Sequence, residues 1–429
     1  MINGGEDIGA VVADLGSVTT KFGYAGEDYP RAYFASNVGM LQNEGDTPNT
    51  CENKENSSLN HYIDALWTRT DLELKWPIGP KGEVNDWDAI ESIIMFSSKK
   101  LNTQLSETPI LLAEKSNAGA HNRHKYAEML FENFSVPALF LGRDAVLSCF
   151  ATGKTTGTCV DVGGQATVTP VVDGWINQHG VETSFIGGTF LQKYFKLLLE
   201  AKKLSLKPTQ AFKKDSKPGF FTDETTWAHS YKEFLELEVV RDILAFTGRV
   251  SDMAVDESAP QFTSVPGIPY ELPDGTEVIV GLERFKGPEL YFNTDPLKNS
   301  GKDSPLKSLL REYGAEGEGP LTLVQHVMNS IQNSDRESQN SLANSIVLCG
   351  GGSTFHGMHE RIKSEVEFAY SVNSPALKVK VLAAGPNERA VATWLGGSIL
   401  ASLGSFHEMW MGKGEYEEHG ARLVDKKFP

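Results

Sequence analysis

The stretch that decides the fold runs from Ala138 to Thr169, ALFLGRDAVLSCFATGKTTGTCVDVGGQATVT. Its pattern predicts a buried strand at 138–141, a helix with apolar residues at a period of about 3.6, a Gly/Lys/Thr turn and a second buried strand. The second strand ends in Asp161-Val162-Gly163-Gly164. Glycines at such a turn let backbone N–H groups approach a phosphate, and the carboxylate can hold a hydrated divalent cation. Taken alone, this signal is weak, because most Asp-Gly turns only reverse the chain.

Two further stretches repeat the pattern of an apolar strand that runs into glycines. Residues 10–17, AVVADLGS, contain Asp14, Gly16 and Ser17, and Thr19-Thr20-Lys21 follows on a predicted returning strand. Residues 345–354, SIVLCGGGST, contain the triple glycine Gly350-Gly351-Gly352, which can lie flat against a nucleotide. Three such turns in this order predict two similar α/β lobes that hold phosphates between them, with Lys21 as a point charge.

Length and composition indicate a globular protein of more than one domain. The chain has 429 residues, 40% of them hydrophobic, which is enough to bury substantial cores in two or three domains. Its 40 Lys and Arg residues against 56 Asp and Glu residues give a formal net charge of −16. That charge repels a nucleic-acid backbone, so we predict no direct sequence-specific contact with nucleic acid. It suits a basic partner such as a histone tail, although ordinary soluble proteins are often acidic too.

Neither the N-terminus nor the cysteines indicate an extracellular or membrane protein. The first residues lack the basic region and apolar run of a secretion signal, and no stretch approaches the ~20 apolar residues of a membrane span. The four cysteines, Cys51, Cys149, Cys159 and Cys349, form no Cys-x-x-Cys pair, and three of them lie in apolar strand or helix contexts. This pattern predicts a reducing compartment with buried free thiols.

Several motifs resemble those of the actin family. They are Asp14-Leu15-Gly16-Ser17, YAGEDYPRA at 24–32, Glu283-Arg284-Phe285 and WLGGSILASL at 394–403. The match covers nearly the whole chain and is weakest over 200–320. It implies the actin fold, shared with sugar kinases and heat-shock ATPases: an α/β protein with two similar lobes around a nucleotide cleft, divided into four subdomains.

Within that family the chain is most similar to the nuclear actin-related proteins of the fourth class. The similarity lies in GGEDIGA at 4–10, Tyr62-Ile63-Asp64 and FHEMWMGKGEYEE at 406–418. It implies a nuclear location and a structural role in chromatin-remodelling and histone-acetyltransferase complexes, which act in transcription regulation and DNA repair. The implied partners are monomeric actin and a scaffold helix of a remodelling or acetyltransferase subunit.

The resemblance also places the subdomains along the chain. Subdomain 1 takes 1–35, 82–151 and 392–429, subdomain 2 takes 36–81, subdomain 3 takes 152–187 and 316–391, and subdomain 4 takes 188–315. Residues 41–59 are polar and predict a surface loop without the apolar segment that actin inserts into the next protomer of a filament, which argues against polymerisation. The segments 251–278 and 297–320 are predicted to be loops as well.

The family's nucleotide site carries over to a defined set of residues. The resemblance implies ATP with Mg²⁺ or Ca²⁺, the ion being held through water by Asp14 and Asp161 and by no direct ligand. The cofactor-binding residues are then Asp14, Gly16, Ser17, Lys21, Asp161, Gly163, Gly164, Gly187, Arg241, Gly350, Gly351 and Gly352. Two positions on the adenine side depart from actin, which has an acidic residue and a lysine where this chain has Ala245 and Ala390.

Hydrolysis needs a positioned water in addition to a bound nucleotide. At the position of the glutamine that serves this water in actin, the chain has Asp144, and the histidine position falls on Thr167 or Val168. Gly164 stands where actin has an aspartate in the second turn. These changes predict a pseudo-ATPase without a catalytic residue. An alternative is a small-molecule kinase of the same fold that uses Asp144 as a base.

A second predicted site is an apolar surface groove like the one between actin's two large subdomains. Its residues are Phe150, Leu400, Leu403, Phe406 and Met409, and it would take an amphipathic helix. Leu400 and Phe406 fit ordinary core positions equally well. The sequence thus predicts a non-polymerising nuclear actin-related protein that binds ATP with little or no hydrolysis. The cytoskeletal alternative is a filament-forming, actin-like ATPase.

Overall fold

The computed structural model describes residues 9–41, 63, 72–79, 82–211, 227–298, 304–315, 319–373 and 378–428. The predicted surface loop lies outside these ranges from residue 42 onward, and so do Cys51 and most of the predicted subdomain 2.

The described strands alternate with helices along most of the chain. The strands are β1 (Val11–Leu15), β2 (Thr19–Tyr24), β3 (Ala32–Ala35), β4 (Val38–Leu41), β5 (Leu72–Lys75), β6 (Ile110–Glu114), β7 (Ala138–Arg143), β8 (Gly157–Val162), β9 (Ala166–Val172), β10 (Trp175–Ile176), β11 (Glu182–Ser184), β12 (Ile268–Glu271), β13 (Glu277–Val280), β14 (Ile346–Cys349), β15 (Val381–Ala383) and β16 (Met411–Gly412). The helices are α1 (Trp87–Leu101), α2 (Ala120–Glu128), α3 (Asp144–Ala151), α4 (Gly188–Ala201), α5 (His229–Thr247), α6 (Pro260–Thr263), α7 (Glu283–Glu289), α8 (Asp295–Lys298), α9 (Pro305–Glu312), α10 (Leu323–Gln332), α11 (Arg336–Ala343), α12 (Met358–Asn373), α13 (Pro386–Ala390), α14 (Ala392–Ser402), α15 (Lys413–His419) and α16 (Val424–Lys427).

The first lobe is built on a mixed sheet with the strand order β16-β7-β6-β1-β2-β3. Its centre consists of β1, β6 and β7, which run parallel, and every residue of β1 and β6 is buried. Continuous apolar strands of this kind are typical of a sheet that is covered on both faces. Strand β2 returns antiparallel to β1 and brings Lys21 opposite Asp14.

The second lobe repeats this arrangement with the strand order β10-β9-β8-β14-β15. Strands β8, β14 and β15 run parallel, and β9 returns antiparallel to β8. Asp161 on β8 pairs with Cys349 on β14 and with Thr167 on β9. The carboxyl ends of β1 and β6 in one lobe and of β8 and β14 in the other therefore present their turns for a shared site. This α/β architecture confirms the predicted actin fold.

The chain passes between the lobes along two helices that pack on each other. Helix α3 leads from β7 in the first sheet to β8 in the second, and α14 returns to pack on β1 and β6. A side chain at Gly396 of α14 would overlap the carbonyl oxygen of Leu147 in α3, so glycine allows the two helices to approach this closely. The ring of Trp394 is fully buried beside this crossing, and its Nε1 donates to the Val12 carbonyl at 3.0 Å.

Each lobe has its own apolar core, and a smaller cluster joins the lobes at the outer end of the cleft. In that cluster Leu72 and Leu74 of β5 pack against Tyr231 and Phe234 of α5. The backbone N–H of Leu74 also donates to the hydroxyl of Ser230 at 2.9 Å. The two lobes are thus connected both at the α3–α14 crossing and at the far end of the cleft.

Two of the predicted loops contain regular structure. Strands β12 and β13 form a hairpin that begins within 251–278 and ends at Val280; in β13, Val278 and Val280 alternate with exposed residues and bury one face. Helix α9 lies within 297–320, with Ser304 accepting the N–H of Lys307 as its cap and with Leu309 and Leu310 buried. The loop predictions were wrong at these places because proline is tolerated where it occurs. Pro269 lies on an edge strand of a two-stranded sheet, and Pro305 is the first residue of α9.

The three cysteines in the described part of the chain are buried, in agreement with the prediction. The Sγ atoms of Cys159 and Cys349 lie 3.6 Å apart on the neighbouring strands β8 and β14. A hydrogen bond with Cys149 and burial together raise the pKa of Cys159 well above its usual value. Cys159 is therefore a protonated, unreactive thiol in the interior.

Candidate functional site

A cavity of about 750 Å³ lies between the two lobes, within the size range of sites for small molecules. Its wall contains nearly all the predicted nucleotide-binding residues. These are Asp14, Gly16, Ser17, Lys21, Asp161, Gly163, Gly164, Arg241, Gly350, Gly351 and Gly352. The three glycine turns that are far apart in the sequence therefore meet around one cavity.

The first turn places a carboxylate and an ammonium group side by side. Lys21 Nζ donates to Asp14 Oδ2 at 2.8 Å, and both side chains are almost completely buried. Burial alone would lower the pKa of Lys21, but Asp14 outweighs burial and raises the pKa. The N–H of Gly16 donates to the Thr19 carbonyl at 3.1 Å and closes the turn between β1 and β2.

The second turn faces the first across the cavity. A Cβ at Gly164 would lie 2.6 Å from Oγ of Ser17 and 3.0 Å from Cγ2 of Val18. A side chain at this position would therefore force Ser17 or Val18 to move, and glycine lets the two turns lie this close without such a shift.

The third turn packs against the end of β8. Gly350 has φ +84°, and a side chain there would overlap Oδ1 of Asp161 and lie 2.6 Å from the carbonyl oxygen of Val162. Gly351, by contrast, meets no described atom within 4 Å and borders the open cavity. Gly350 thus brings the backbone against the carboxylate, and Gly351 leaves space for a ligand.

Gly187 is the exception among the predicted nucleotide-binding glycines, because it lies outside the described lining of the cavity. The first N–H groups of α4 donate to the second turn: Gly188 to the Gly163 carbonyl at 2.8 Å and Thr189 to the Gly164 carbonyl at 3.1 Å. A phosphate bound at the start of a helix would use these same N–H groups, which here already donate to the second turn. Gly187 therefore lies behind the second turn and not on the cavity wall, where the predicted ligand contact would require it.

The outer wall of the cavity carries the residues predicted for the adenine side. Arg241 is half exposed at the rim, where its guanidinium contacts the carboxylate of Glu238. Ala245 and Ala390 also line the cavity, so the two departures from actin both fall on the wall. This part of the site is consequently more apolar than actin's.

Lys115 is a charged residue of the cavity that the sequence analysis missed. Its Nζ lies 3.1 Å from Asp144 Oδ2 and 3.3 Å from Asp161 Oδ2, and its side chain is 29% exposed. Burial alone would lower the pKa of Lys115, but the three nearby carboxylates of Asp144, Asp161 and Asp14 hold it well above its usual value. The sequence could have indicated Lys115, because it directly follows the buried strand β6 and ligands bind at the carboxyl ends of parallel strands.

Asp144 is held by neighbouring groups on both of its carboxylate oxygens. Oδ1 accepts the N–H of Ser116 at 2.9 Å, the N–H of Ala145 at 2.8 Å and the hydroxyl of Ser116. Oδ2 pairs with Lys115. A carboxylate in this arrangement is positioned by its own protein and has little freedom to act as a general base.

The predicted histidine position carries no imidazole. Val168 on β9 is buried in the core of the second lobe, and Thr167 pairs with Asp161 on β8 and Thr183 on β11. Neither side chain has a basic group that could accept a proton from an attacking water at neutral pH.

The predicted partner groove is only partly exposed. Leu403 and Met409 are 44% and 46% exposed, and Phe150 and Leu400 are half-buried. Phe406, however, is 3% exposed and packs its ring edge-to-face against Phe140. The structure therefore corrects the prediction for Phe406, which is a core residue of the first lobe.

Among the residues that the structure describes, no three His, Cys, Asp or Glu side chains gather as ligands of a metal ion. None of the helices in the described ranges has the length and apolarity needed to cross a membrane.

Two similar lobes with phosphate-type turns facing each other define the class of fold, and comparison with known proteins gives the family. The family model described as Actin matches residues 5–429, so this chain belongs to the actin family. It is 38% identical to Actin-related protein 4 of Oryza sativa subsp. indica and 36% identical to Actin-related protein 4 of Arabidopsis thaliana, covering 99% of this chain and 100% of each relative. Actin-related protein 4 of Yarrowia lipolytica is 32% identical over 99% of this chain and 97% of its own length.

Proposed function

We propose that this chain is a non-polymerising nuclear actin-related protein that holds ATP as a structural ligand, with little or no hydrolysis. In this role it is a subunit of chromatin-remodelling and histone-acetyltransferase complexes. One observation carries the proposal: the cavity retains its three glycine turns and Lys21, while Asp144 is engaged by Lys115 and Ser116. Full-length similarity to the actin-related proteins named above supports the choice within the family.

The nucleotide's phosphates fit between the first two turns. Lys21 supplies a charged donor there, and Gly164 leaves room where Ser17 approaches. Gly351 borders the open part of the cavity, where a nucleoside can lie against bare backbone. A ligand that contacts both lobes stabilises their closed arrangement by mass action.

Slow or absent hydrolysis follows from the groups that would direct a water. Asp144 already has neighbours on both oxygens, and Thr167 and Val168 offer no base. The same contacts argue against the kinase alternative, because a base must reach the hydroxyl of its substrate. We therefore expect ATP to stay bound in a stable complex and not to be hydrolysed in repeated cycles.

The partner surface in this proposal is the groove formed by Phe150, Leu400, Leu403 and Met409. Leu403 and Met409 expose apolar side chains that a helix of a scaffold subunit would cover beside an actin monomer. The net charge of −16 favours histones over nucleic acid as additional contacts. Nuclear location belongs to the same proposal.

Affinity purification of the tagged protein from nuclei, followed by mass spectrometry, tests the proposal. We expect actin and a helicase-type ATPase to copurify in stoichiometric amounts. Recovery of the protein in cytoskeletal filaments without such subunits would contradict the proposal. Sedimentation of pure protein after addition of magnesium and salt gives an independent answer, because a filament-forming actin pellets and a monomeric one does not.

A further inference from the structure

We propose that Lys115 takes the place of the divalent cation in the cleft, so that the protein binds a nucleoside triphosphate without Mg²⁺ or Ca²⁺. This inference rests on the proposed nucleotide binding and deepens it. It also replaces the cation that the family resemblance implies.

The first step concerns where the ammonium group lies. A hydrated cation in this fold would be held by Asp161, but Asp161 Oδ2 already has Lys115 Nζ at 3.3 Å. The other carboxylate assigned to the ion, Asp14, has Lys21 Nζ at 2.8 Å. Both predicted acceptors of metal-bound water are therefore paired with positive charges of the protein.

The second step concerns how Lys115 is held. Its side-chain stem runs past Gly82, where an added Cβ would lie 2.8 Å from Lys115 Cγ. Its carbonyl oxygen accepts the N–H of Ala118 at 2.8 Å and Nη1 of Arg143 at 3.3 Å. The ammonium is thus fixed from the backbone outward and is not a freely moving surface charge.

The third step is a count of donors and charges. A lysine ammonium has three N–H donors. Asp161 Oδ2 accepts one of them at 3.3 Å, and Asp144 Oδ2 pairs with the same ammonium by charge at 3.1 Å. A donor therefore remains for a phosphate oxygen. Three carboxylates, Asp14, Asp144 and Asp161, stand against two ammonium groups, Lys21 and Lys115. Without Lys115 the balance would be three to one, and an external cation would be needed before a polyanion could enter.

The experiment measures the affinity for ATP by calorimetry, first with MgCl₂ and then with EDTA. For the unmodified protein we expect the two dissociation constants to agree within about threefold. Lys115→Ala should lose at least about tenfold in EDTA and recover most of that loss with MgCl₂. Lys125→Ala is the matched control, because Lys125 pairs with Glu128 on the surface at 3.1 Å, outside the described cavity wall.

A second readout follows the metal directly. With ATP kept below the protein concentration so that little of it is free, titration with Mn²⁺ monitored by electron paramagnetic resonance should show no stoichiometric site in the unmodified protein and one site in Lys115→Ala. A site of full occupancy in the unmodified protein would overturn the inference, and this measurement does not require the variant to fold.

The outcomes separate the two proposals. ATP binding that falls tenfold or more in EDTA would overturn the role of Lys115 and leave the nucleotide-binding function intact. Cation-independent binding that persists in Lys115→Ala would show that another group replaces the ion, and it too would overturn the inference. Absence of ATP binding in both buffers would overturn the nucleotide-binding function and the inference together.

Discussion

Lys115 and Asp161 connect the two lobes at the floor of the cleft, with Nζ and Oδ2 3.3 Å apart. Lys115 follows β6 of the first sheet, whereas Asp161 lies on β8 of the second. Burial raises the pKa of Asp161, and the charge of Lys115 opposes that effect. The pair therefore favours a closed cleft even before a ligand enters.

We expect Lys115→Ala to weaken this closure in the nucleotide-free protein. Removing the ammonium leaves Asp144 and Asp161 in a poorly hydrated site without their counter-charge, which should cost about 1–3 kcal/mol of unfolding free energy. Thermal unfolding and limited proteolysis without nucleotide measure the effect. Lys125→Ala should change neither, and equal behaviour of the two variants would contradict an interlobe role for Lys115.

The glycines of the third turn give a matched pair of variants. Gly350→Ala should destabilise the protein by at least about 2 kcal/mol, because φ is +84° there and the new methyl group would overlap Asp161. Gly351→Ala should leave the urea midpoint nearly unchanged, since no described atom lies within 4 Å of its Cβ position. If Gly351→Ala proved the more harmful of the two for folding, the described packing of this turn would be incorrect.

Phosphate release measures the proposed absence of turnover. Pure protein with ATP should release phosphate at the background rate, and Asp144→Asn should leave that rate unchanged because Asp144 is occupied by Ser116 and Lys115. Catalytically active actin serves as the positive control. Release that is well above background and is abolished by Asp144→Asn would support the kinase or ATPase alternatives instead.

The groove prediction depends on exposed residues and excludes Phe406. Leu403→Asp and Met409→Asp should reduce the copurified actin and scaffold subunit at least about fivefold, because each places a charge on an apolar contact surface. Met253→Asp is the control, since Met253 is 56% exposed elsewhere on the protein. Unchanged recovery with both groove variants would exclude this surface as the partner site.

Phe406→Ala should behave differently from the groove variants. Because Phe406 is buried against Phe140, its truncation should lower the unfolding free energy by about 3–5 kcal/mol. Urea denaturation of the isolated protein measures this loss. A fully stable Phe406→Ala variant that fails to copurify with partners would restore Phe406 to the groove.

The fold was predictable from the sequence because its informative signals are local. Each phosphate-type turn follows a short apolar strand, so Asp14, Asp161 and Gly350 could be assigned without knowing the rest of the structure. The secondary-structure elements that the sequence did not predict were also missed for local reasons. The hairpin of β12 and β13 was missed because each strand has only four residues, and in β12 half-buried residues alternate with exposed ones, which is a weak pattern.

The parts of the site that escaped prediction depend on contacts distant in the sequence. Lys115 becomes part of the cleft through Asp161, 46 residues further along the chain. Phe406 is buried by Phe140, and nothing in the tail sequence distinguishes it from its exposed neighbour Met409. Gly187 carries the same glycine signal as the ligand-facing turns, but the carbonyls of the second turn occupy the donors beside it.

The contact between β5 and α5 has a kinetic consequence for any molecule held inside. Leu72, Leu74, Tyr231 and Phe234 form an apolar contact between β5 and α5, and this contact must separate before the two lobes can move apart at that end of the cleft. The dissociation rate of a ligand that leaves by this end would then be set by the opening of the protein, as in enzymes in which lid opening limits product release.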